Sequence, residues 1–384
     1  MKTDTLLVEL GTEELPPRAL RSLSQAFSAG IAKGLAEHRL EHGEIRSFAT
    51  PRRLAVSIEK LSLQAEDEAV EILGPPAERA QDADGNWTAA AQGFARKHQV
   101  DPDVLEVAET DKGPRLVYRT TTRGASAESC LQDILERTIR DLPIPKRMRW
   151  GSSRREFVRP AHWLVVMLGK RVVDCELLEL QAGNRTRGHR FHSSGEIALK
   201  TATDYESKLE AAHVIADFQR RRDMITAQVE AQAEAAQAQA VIEEDLLDEV
   251  TALVEWPVAL TGSFEPRFLD VPAEALVSSM QEHQKYSPMV DGDGKLVPGF
   301  IFVANIESKD PAQVVDGNER VIRPRLSDAD FFFNSDKQRT LASRVEDLGN
   351  VVFQQKLGTL LDKSNRQERL AALLAPELGA DTAL

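Results

Sequence analysis

The chain reads as an α+β fold, with mixed and antiparallel sheets packed against helices. Three observations lead there. The opening sixty residues follow a strand–helix–strand–strand order. Later strand pairs meet across short turns, at Asp111-Lys-Gly113 and Asp291-Gly-Asp-Gly294, and not through helical crossovers. An apolar run, Trp163 to Leu168, has the length of a buried strand and is flanked by polar, basic segments.

Taken in order, Leu6 to Leu10 is a short strand ended by Gly11, and Pro16-Pro17 pre-set φ for a helix start. The helix from about Arg18 to Glu37 carries Leu20, Leu23, Phe27, Ile31 and Leu35 at helical spacing. Ile45 to Ala49 and the alternating run Leu54 to Ile58 are strands. A helix follows from Thr88 to Lys97. The pair Leu105–Glu109 and Leu116–Thr121 forms a hairpin, and an amphipathic helix starts at Ser126 or Ala127. Residues 217–254 shift to Ala, Gln and Glu, a strong helix-forming composition, and predict a long solvent-exposed helical hairpin stopped by Glu255-Trp-Pro257. A short strand at VALTGSF, a helix near 272–280 and a hairpin spanning 284–305 come next. Arg320 to Arg325 precedes a helix holding Phe331-Phe-Phe333, which reads as core. The expected divisions are 1–216, 217–254, 255–340 and a helical tail, 341–384.

With 384 residues, 42% of them hydrophobic, the chain can bury two or three cores. No stretch approaches the roughly 18 apolar residues of a membrane span, and the N-terminus lacks a signal-peptide pattern. Cys130 and Cys175 sit in apolar contexts and read as reduced core thiols, which points to the cytoplasm.

The formal charge is −13, yet between Pro143 and Arg190 eleven cations face four anions, a local excess of +7. The candidate anion-binding residues are Arg52 and Arg53; Lys146, Arg147 and Arg149; Arg154, Arg155 and Arg159; Arg185, Arg187 and Arg190; and Arg320, Arg323 and Arg325. Nearly all are Arg, whose planar fork matches phosphate oxygens. Trp150, Trp163 and Phe191 lie among them as candidate stacking surfaces. Together these point to a phosphate-bearing, nucleic-acid partner.

Catalytic signatures are absent from the sequence. There is no Walker A loop, no G-x-G-x-x-G, no H-E-x-x-H and no nucleophile elbow. His189 and His192 lack a further ligand, so no metal site is assigned.

At several runs the sequence resembles the β subunit of bacterial heterotetrameric glycyl-tRNA synthetase. They include Leu6-Leu-Val-Glu-Leu-Gly-Thr-Glu-Glu-Leu-Pro-Pro17, Pro51-Arg-Arg-Leu54, Met148-Arg-Trp-Gly151, Phe157-Val-Arg-Pro160, Arg187-Gly-His-Arg-Phe191, Val254-Glu-Trp-Pro257, FIFVANIESKD at 300–310 and Asp330-Phe-Phe-Phe-Asn334. The resemblance implies an α2β2 glycine–tRNA ligase in which a separate α subunit carries catalysis, with ATP and Mg bound there. The β subunit binds tRNA(Gly) and supplies no catalytic residue; this chain holds no cofactor. It also implies that the tail begins a helical HD-type domain and that an anticodon-binding domain lies beyond. The rival reading is an assembly scaffold whose basic clusters are internal ion pairs. Exposure of Arg149, Arg154, Arg187 and Arg190 separates the two.

Overall fold

The computed structural model describes residues 2–82, 85–111 and 113–380, in two compact units. Unit one comprises Met1–Thr226, Leu247–Val258 and Ala304–Glu307; unit two comprises Ala227–Leu246, Ala259–Val303 and Ser308–Leu384.

Unit one begins with β1 (Thr3–Thr12), α1 (Pro17–Glu37), β2 (Ile45–Thr50) and β3 (Arg53–Ser62), the order expected. β4 (Glu68–Pro76), α2 (Ala89–Lys97), β5 (Glu106–Ala108) and β6 (Arg115–Thr122) follow, then α3 (Ala127–Asp141) and β7 (Ala161–Leu168). Short strands succeed them: β8 (Arg171–Val172), β9 (Glu176–Leu177), β10 (Leu180–Gln181), β11 (Arg185–Arg187) and β12 (Glu196–Ala198). The main sheet has the order β2-β3-β1-β7-β8, and its pairings are antiparallel.

β1 explains why that sheet has two covered faces. Side chains alternate along a strand. Leu6, Val8 and Leu10 pack with the buried stripes of α1 and α3, while Leu7 packs with Phe48, Ala55, Val165 and Met167 under the segment 199–216. A strand buried on both sides needs a continuous apolar run, and LLVEL supplies one except at Glu9. A smaller sheet, β4-β6-β5, packs on α2 through Ala91, Ala95, Leu105 and Leu116.

α4 (Tyr205–Glu210), α5 (Phe218–Ala235), β13 (Gln239–Ala240) and α6 (Glu244–Thr251) come next. Residues 217–254 thus hold the two expected helices, joined by a strand, but they are not generally solvent-exposed. Within unit one, Arg221 is fully buried. Its guanidinium donates to the carbonyls of Ala49 at 2.7 Å and Thr251 at 3.1 Å, and to that of Ile215. Burial without a carboxylate partner pulls its pKa down to about 10. Composition marks helix propensity and not which helical face is covered, so this anchoring is invisible in the Ala/Gln-rich pattern.

Unit two contains β14 (Val258–Ser263), α7 (Ala273–Ser278), β15 (Ser287–Val290), β16 (Leu296–Ala304), α8 (Pro311–Lys337), β17 (Val352–Gln354), β18 (Gly358–Thr359) and α9 (Leu360–Leu374). Its sheet order is β13-β15-β16-β14. Three expectations are corrected here. Arg320 to Arg325 lies inside α8 and not before it; the helix runs through Pro324, which merely leaves one carbonyl without its intrahelical donor. Phe331 and Phe332 are 65% and 63% exposed. The buried residues of α8 are Ile322 and Leu326, and a stripe continuing at that spacing reaches 329, 330 and 333 and misses both rings. The tail also holds the β17–β18 hairpin, after two short 3₁₀ turns at Ala342–Arg344 and Glu346–Asn350 and before its helix, where helix alone was expected.

Gly11 is a closely packed point in the main sheet. A Cβ built there would lie 1.8 Å from Trp163 Cε2, so the indole occupies space that only glycine leaves free. Gly11→Ala is expected to destabilise the chain by about 1–3 kcal/mol or more through overpacking, measurable as a lowered midpoint in thermal unfolding. An unchanged midpoint contradicts this packing.

Candidate nucleic-acid interface

The candidate interface rests on a buried charge network at the end of the main sheet. Glu9 of β1 and Arg53 of β3 project from the face opposite α1. Both are 0% exposed, and Arg53 Nη1 lies 3.0 Å from Glu9 Oε1. Arg53 Nη2 also lies 3.0 Å from Glu255 Oε1. Thr50 Oγ1 donates to Glu255 at 2.7 Å; Thr186 Oγ1 and the Tyr205 hydroxyl donate to Glu9 at 2.8 and 3.0 Å. Burial works against the Arg53 charge, but Glu255 and Glu9 outweigh it and raise the pKa. Burial likewise pushes the Glu255 carboxyl up, and Arg53 and Arg52 overcome this to leave it below its ordinary value of 4.5. Asn305 Oδ1 accepts from the backbone N–H groups of Glu255, at 2.7 Å, and Trp256, and so fixes the carboxylate's segment.

Arg53 is therefore corrected as a binding candidate. It is wholly enclosed and committed to two carboxylates, and no phosphate can reach it. Trp163 is corrected too: at 8% exposure it offers no stacking surface, and the guanidiniums of Arg52, Arg53 and Arg187 lie 5.3–5.8 Å from its ring centre. Phe191 is 73% exposed.

The remaining sequence candidates in unit one sort into two clefts and their margins. The larger, about 700 Å³, is lined by Arg147, Arg149, Arg154 and Arg155 together with Arg140, Glu156 and Glu176. Arg140, in the last turn of α3, was missed by the sequence reading because it precedes the basic run; the helix end brings it to the same cleft. Arg147 donates to the Arg140 carbonyl at 2.8 Å. Arg149 pairs with Glu156 at 2.6 Å and Arg155 with Glu179 at 3.8 Å. Among the described residues, Arg147 and Arg154 have no carboxylate within 4 Å. The smaller cleft, about 500 Å³, gathers Arg52, Arg187 and Arg190 beside Thr12, Glu13 and Trp163. Arg185 and Arg187 face Glu196 at 3.6 and 3.9 Å. Lys146 is exposed and Arg159 half-buried, its Nε donating to the Glu14 carbonyl at 3.0 Å.

Arg320, Arg323 and Arg325 belong to unit two, exposed on α8. Arg320 pairs with Asp316 at 2.6 Å and Arg323 with Glu265 at 2.8 Å. Among the described residues, no helix is long and apolar enough to cross a membrane, and no group of three or more His, Cys, Asp or Glu could hold a metal ion.

Comparison with known proteins places the chain among aminoacyl-tRNA synthetase subunits. The family described as "Glycyl-tRNA synthetase beta subunit" matches residues 6–383. Three similar proteins are each named "Glycine--tRNA ligase beta subunit". That of Marinobacter nauticus is 53% identical over 386 residues, covering 100% of this chain and 56% of the relative. Those of Hahella chejuensis and Chromohalobacter salexigens are 52% and 54% identical, with 99% of this chain and 55% of each relative covered. The chain belongs to the glycyl-tRNA synthetase beta subunit family, and it spans little more than half the length of these relatives.

Removing one member of the buried network leaves an uncompensated charge. Arg53→Met is expected to cost about 3–5 kcal/mol, read from denaturant unfolding; a loss under about 1 kcal/mol, the size of a surface pair, contradicts the network's role. The lowered Glu255 pKa sets the sign with pH. Its stabilisation is fully present above the unfolded value of 4.5 and is lost as pH falls through the folded value. Glu255→Gln should therefore flatten the acid limb of stability below about pH 4.5, whereas an acid limb equal to wild type would assign acid unfolding to other carboxylates.

Proposed function

We propose that this chain is the tRNA-holding part of a glycine–tRNA ligase β subunit. It grips the acceptor arm of tRNA(Gly) and presents the 3′ end to a separate catalytic α subunit in a cytoplasmic α2β2 assembly. ATP and Mg act at the α subunit, where glycine is activated and then esterified to the tRNA; this chain contributes binding and orientation.

The observation that carries the reading is the cleft over Arg140, Arg147, Arg149, Arg154 and Arg155. Five guanidiniums border one open space in a chain of net charge −13. Guanidinium forks bind phosphate oxygens in charge-assisted pairs. The carboxylates already present are weak competitors: the Arg149 and Glu156 side chains are 66% and 42% exposed, and an exposed pair is worth about 0–1 kcal/mol. Phosphodiesters can replace them with a net gain from released counterions. Such contacts hold register and orientation and do not read base sequence. The scaffold reading draws support from Arg53. The four arginines that separate the readings, however, are exposed: Arg187 and Arg190 at 45% of the side chain, Arg149 at 66%, and Arg154 likewise exposed.

The test is a titration of tRNA(Gly) at several salt concentrations, with wild type and an Arg154→Ala/Arg155→Ala variant. The variant is expected to lose about tenfold in affinity and to lower the magnitude of the log–log salt slope by about 1.5, since each lost phosphate contact removes about 0.7–0.9. Unchanged affinity and slope in a folded variant overturn the grip and favour the scaffold.

A further inference from the structure

The smaller cleft has features that the fold does not account for. Arg52 is only 8% exposed, yet among the described residues no carboxylate lies within 4 Å of its guanidinium. Its one side-chain hydrogen bond there is long, 3.4 Å to the Gly188 carbonyl. Burial depresses its pKa, and Glu255 and Glu13, which pull the other way, do not make up the difference. Thr12 is 1% exposed and its Oγ1 has no hydrogen-bond partner; Trp163 is 8% exposed and its indole N–H has none. All three residues line the same cleft.

A largely buried cation without a close ion pair and buried donors without acceptors are each unfavourable. All three groups can donate; Thr12 Oγ1 and Trp163 Nε1 are sealed beneath the wall of the cleft, and a multi-oxygen anion seated on Arg52 is the species that would complement all three. Two more cations stand at the same opening. Arg187 lies 5.3 Å from the Trp163 ring centre and reaches Glu196 only at 3.9 Å; Arg190 meets Glu13 at 2.8 Å. Glu13 and Glu196 are 44% and 47% exposed, so both are weak, exchangeable partners. The space, about 500 Å³, exceeds a bare ion and falls within the roughly 300–1,000 Å³ of small-ligand pockets.

We infer that this cleft binds the phosphoryl group of a nucleotide, free or at the end of an RNA chain, with Arg52 as the buried counter-charge and Thr12 and Trp163 as neutral donors. Arg187 and Arg190 close over the ligand from the rim, exchanging their glutamates for phosphoryl oxygens. The inference does not depend on tRNA occupying the five-arginine cleft, which is built from other residues.

The experiment is calorimetric titration of the 384-residue chain with AMP, with adenosine, and with a short single-stranded RNA bearing a 5′-phosphate. AMP, the RNA or both should bind saturably, with adenosine at least about tenfold weaker than AMP. Arg52→Gln should weaken binding about tenfold or more, and Thr12→Val, which keeps the side-chain shape, about threefold to tenfold. Binding of AMP assigns the site to free nucleotides; binding of the RNA alone, with the same Arg52 dependence, assigns it to an RNA end. The Arg154→Ala/Arg155→Ala protein should bind AMP like wild type, which keeps this result separate from the tRNA titration. Binding of neither AMP nor the RNA at millimolar concentration overturns the inference, as does wild-type affinity in both variants. If Arg52→Gln does not fold, wild-type affinity in Thr12→Val overturns it alone.

Discussion

The buried triad of Glu9, Arg53 and Glu255 is the constraint on which unit one depends. It joins β1, β3 and the segment before residue 258, three parts of the chain separated by up to 246 positions in a single network. Two carboxylates around one guanidinium, none of them meaningfully exposed, would be prohibitively unfavourable if left unpaired. Hydrogen bonds from Thr50, Thr186 and Tyr205 meet much of that demand, although Glu9 Oε2 still lacks a partner. Thr186 lies in β11, between Arg185 and Arg187. The same contact that satisfies Glu9 therefore fixes the strand that displays two surface arginines. Structural and displayed charge are thus coupled through a single residue of backbone.

That coupling clarifies how one residue type serves two ends. Arg53 and Arg221 are enclosed, and each organises its surroundings, one by ion pairs and one by carbonyl oxygens. Arg149, Arg155, Arg187 and Arg190 stand on the surface in solvent-exposed pairs with carboxylates. The energetic contrast decides the roles. A buried pair broken on one side costs about 3–5 kcal/mol, whereas an exposed pair is worth about 0–1 kcal/mol. A surface glutamate thus restrains an arginine in the free protein without holding it against a phosphate. The negative charge of the rest of the chain works in the same direction, because it repels polyanions everywhere except at the basic clefts.

Much of this architecture was legible in the sequence, and the misses share a cause. The opening strand–helix–strand–strand order, the hairpins and the helix beginning at Ser126 or Ala127 follow from periodicity and turn chemistry, which are local properties. The basic clusters were also visible as composition. Burial of individual cations was not. Pro51-Arg-Arg53 contains one arginine that lines a cleft and one that is sealed, and nothing within three residues distinguishes them. The distinction is made by Glu9 and Glu255, 44 and 202 positions away. One signal was available: Glu9 is the single acid in the run Leu6 to Leu10, otherwise apolar enough to be buried on both faces, and such a residue calls for a buried cation. Arg140 was overlooked because the basic run was counted from Pro143, although the helix end carries it into the same cleft. Hydrophobicity alone marks Phe331 and Phe332 as core, whereas helical phase puts both rings off the buried stripe of α8.

The two clefts also differ in what they ask of a ligand. The larger is open, its arginines are partly paired, and among the described residues two of them have no carboxylate within 4 Å; on the proposed reading, a phosphate chain running past it gains charge neutralisation and loses little in fit. The smaller is organised around unmet demand: a nearly enclosed guanidinium and two buried donors, arranged around an indole that itself depends on Gly11 having no side chain. A surface designed only for loose electrostatic contact has no need to bury an arginine or to strip a threonine of its partners. Those features make sense where a particular group must fit and where salt alone will not displace it. On physical grounds, binding at the larger cleft should therefore weaken steeply with ionic strength, and binding at the smaller should respond more to the identity of the anion than to its charge.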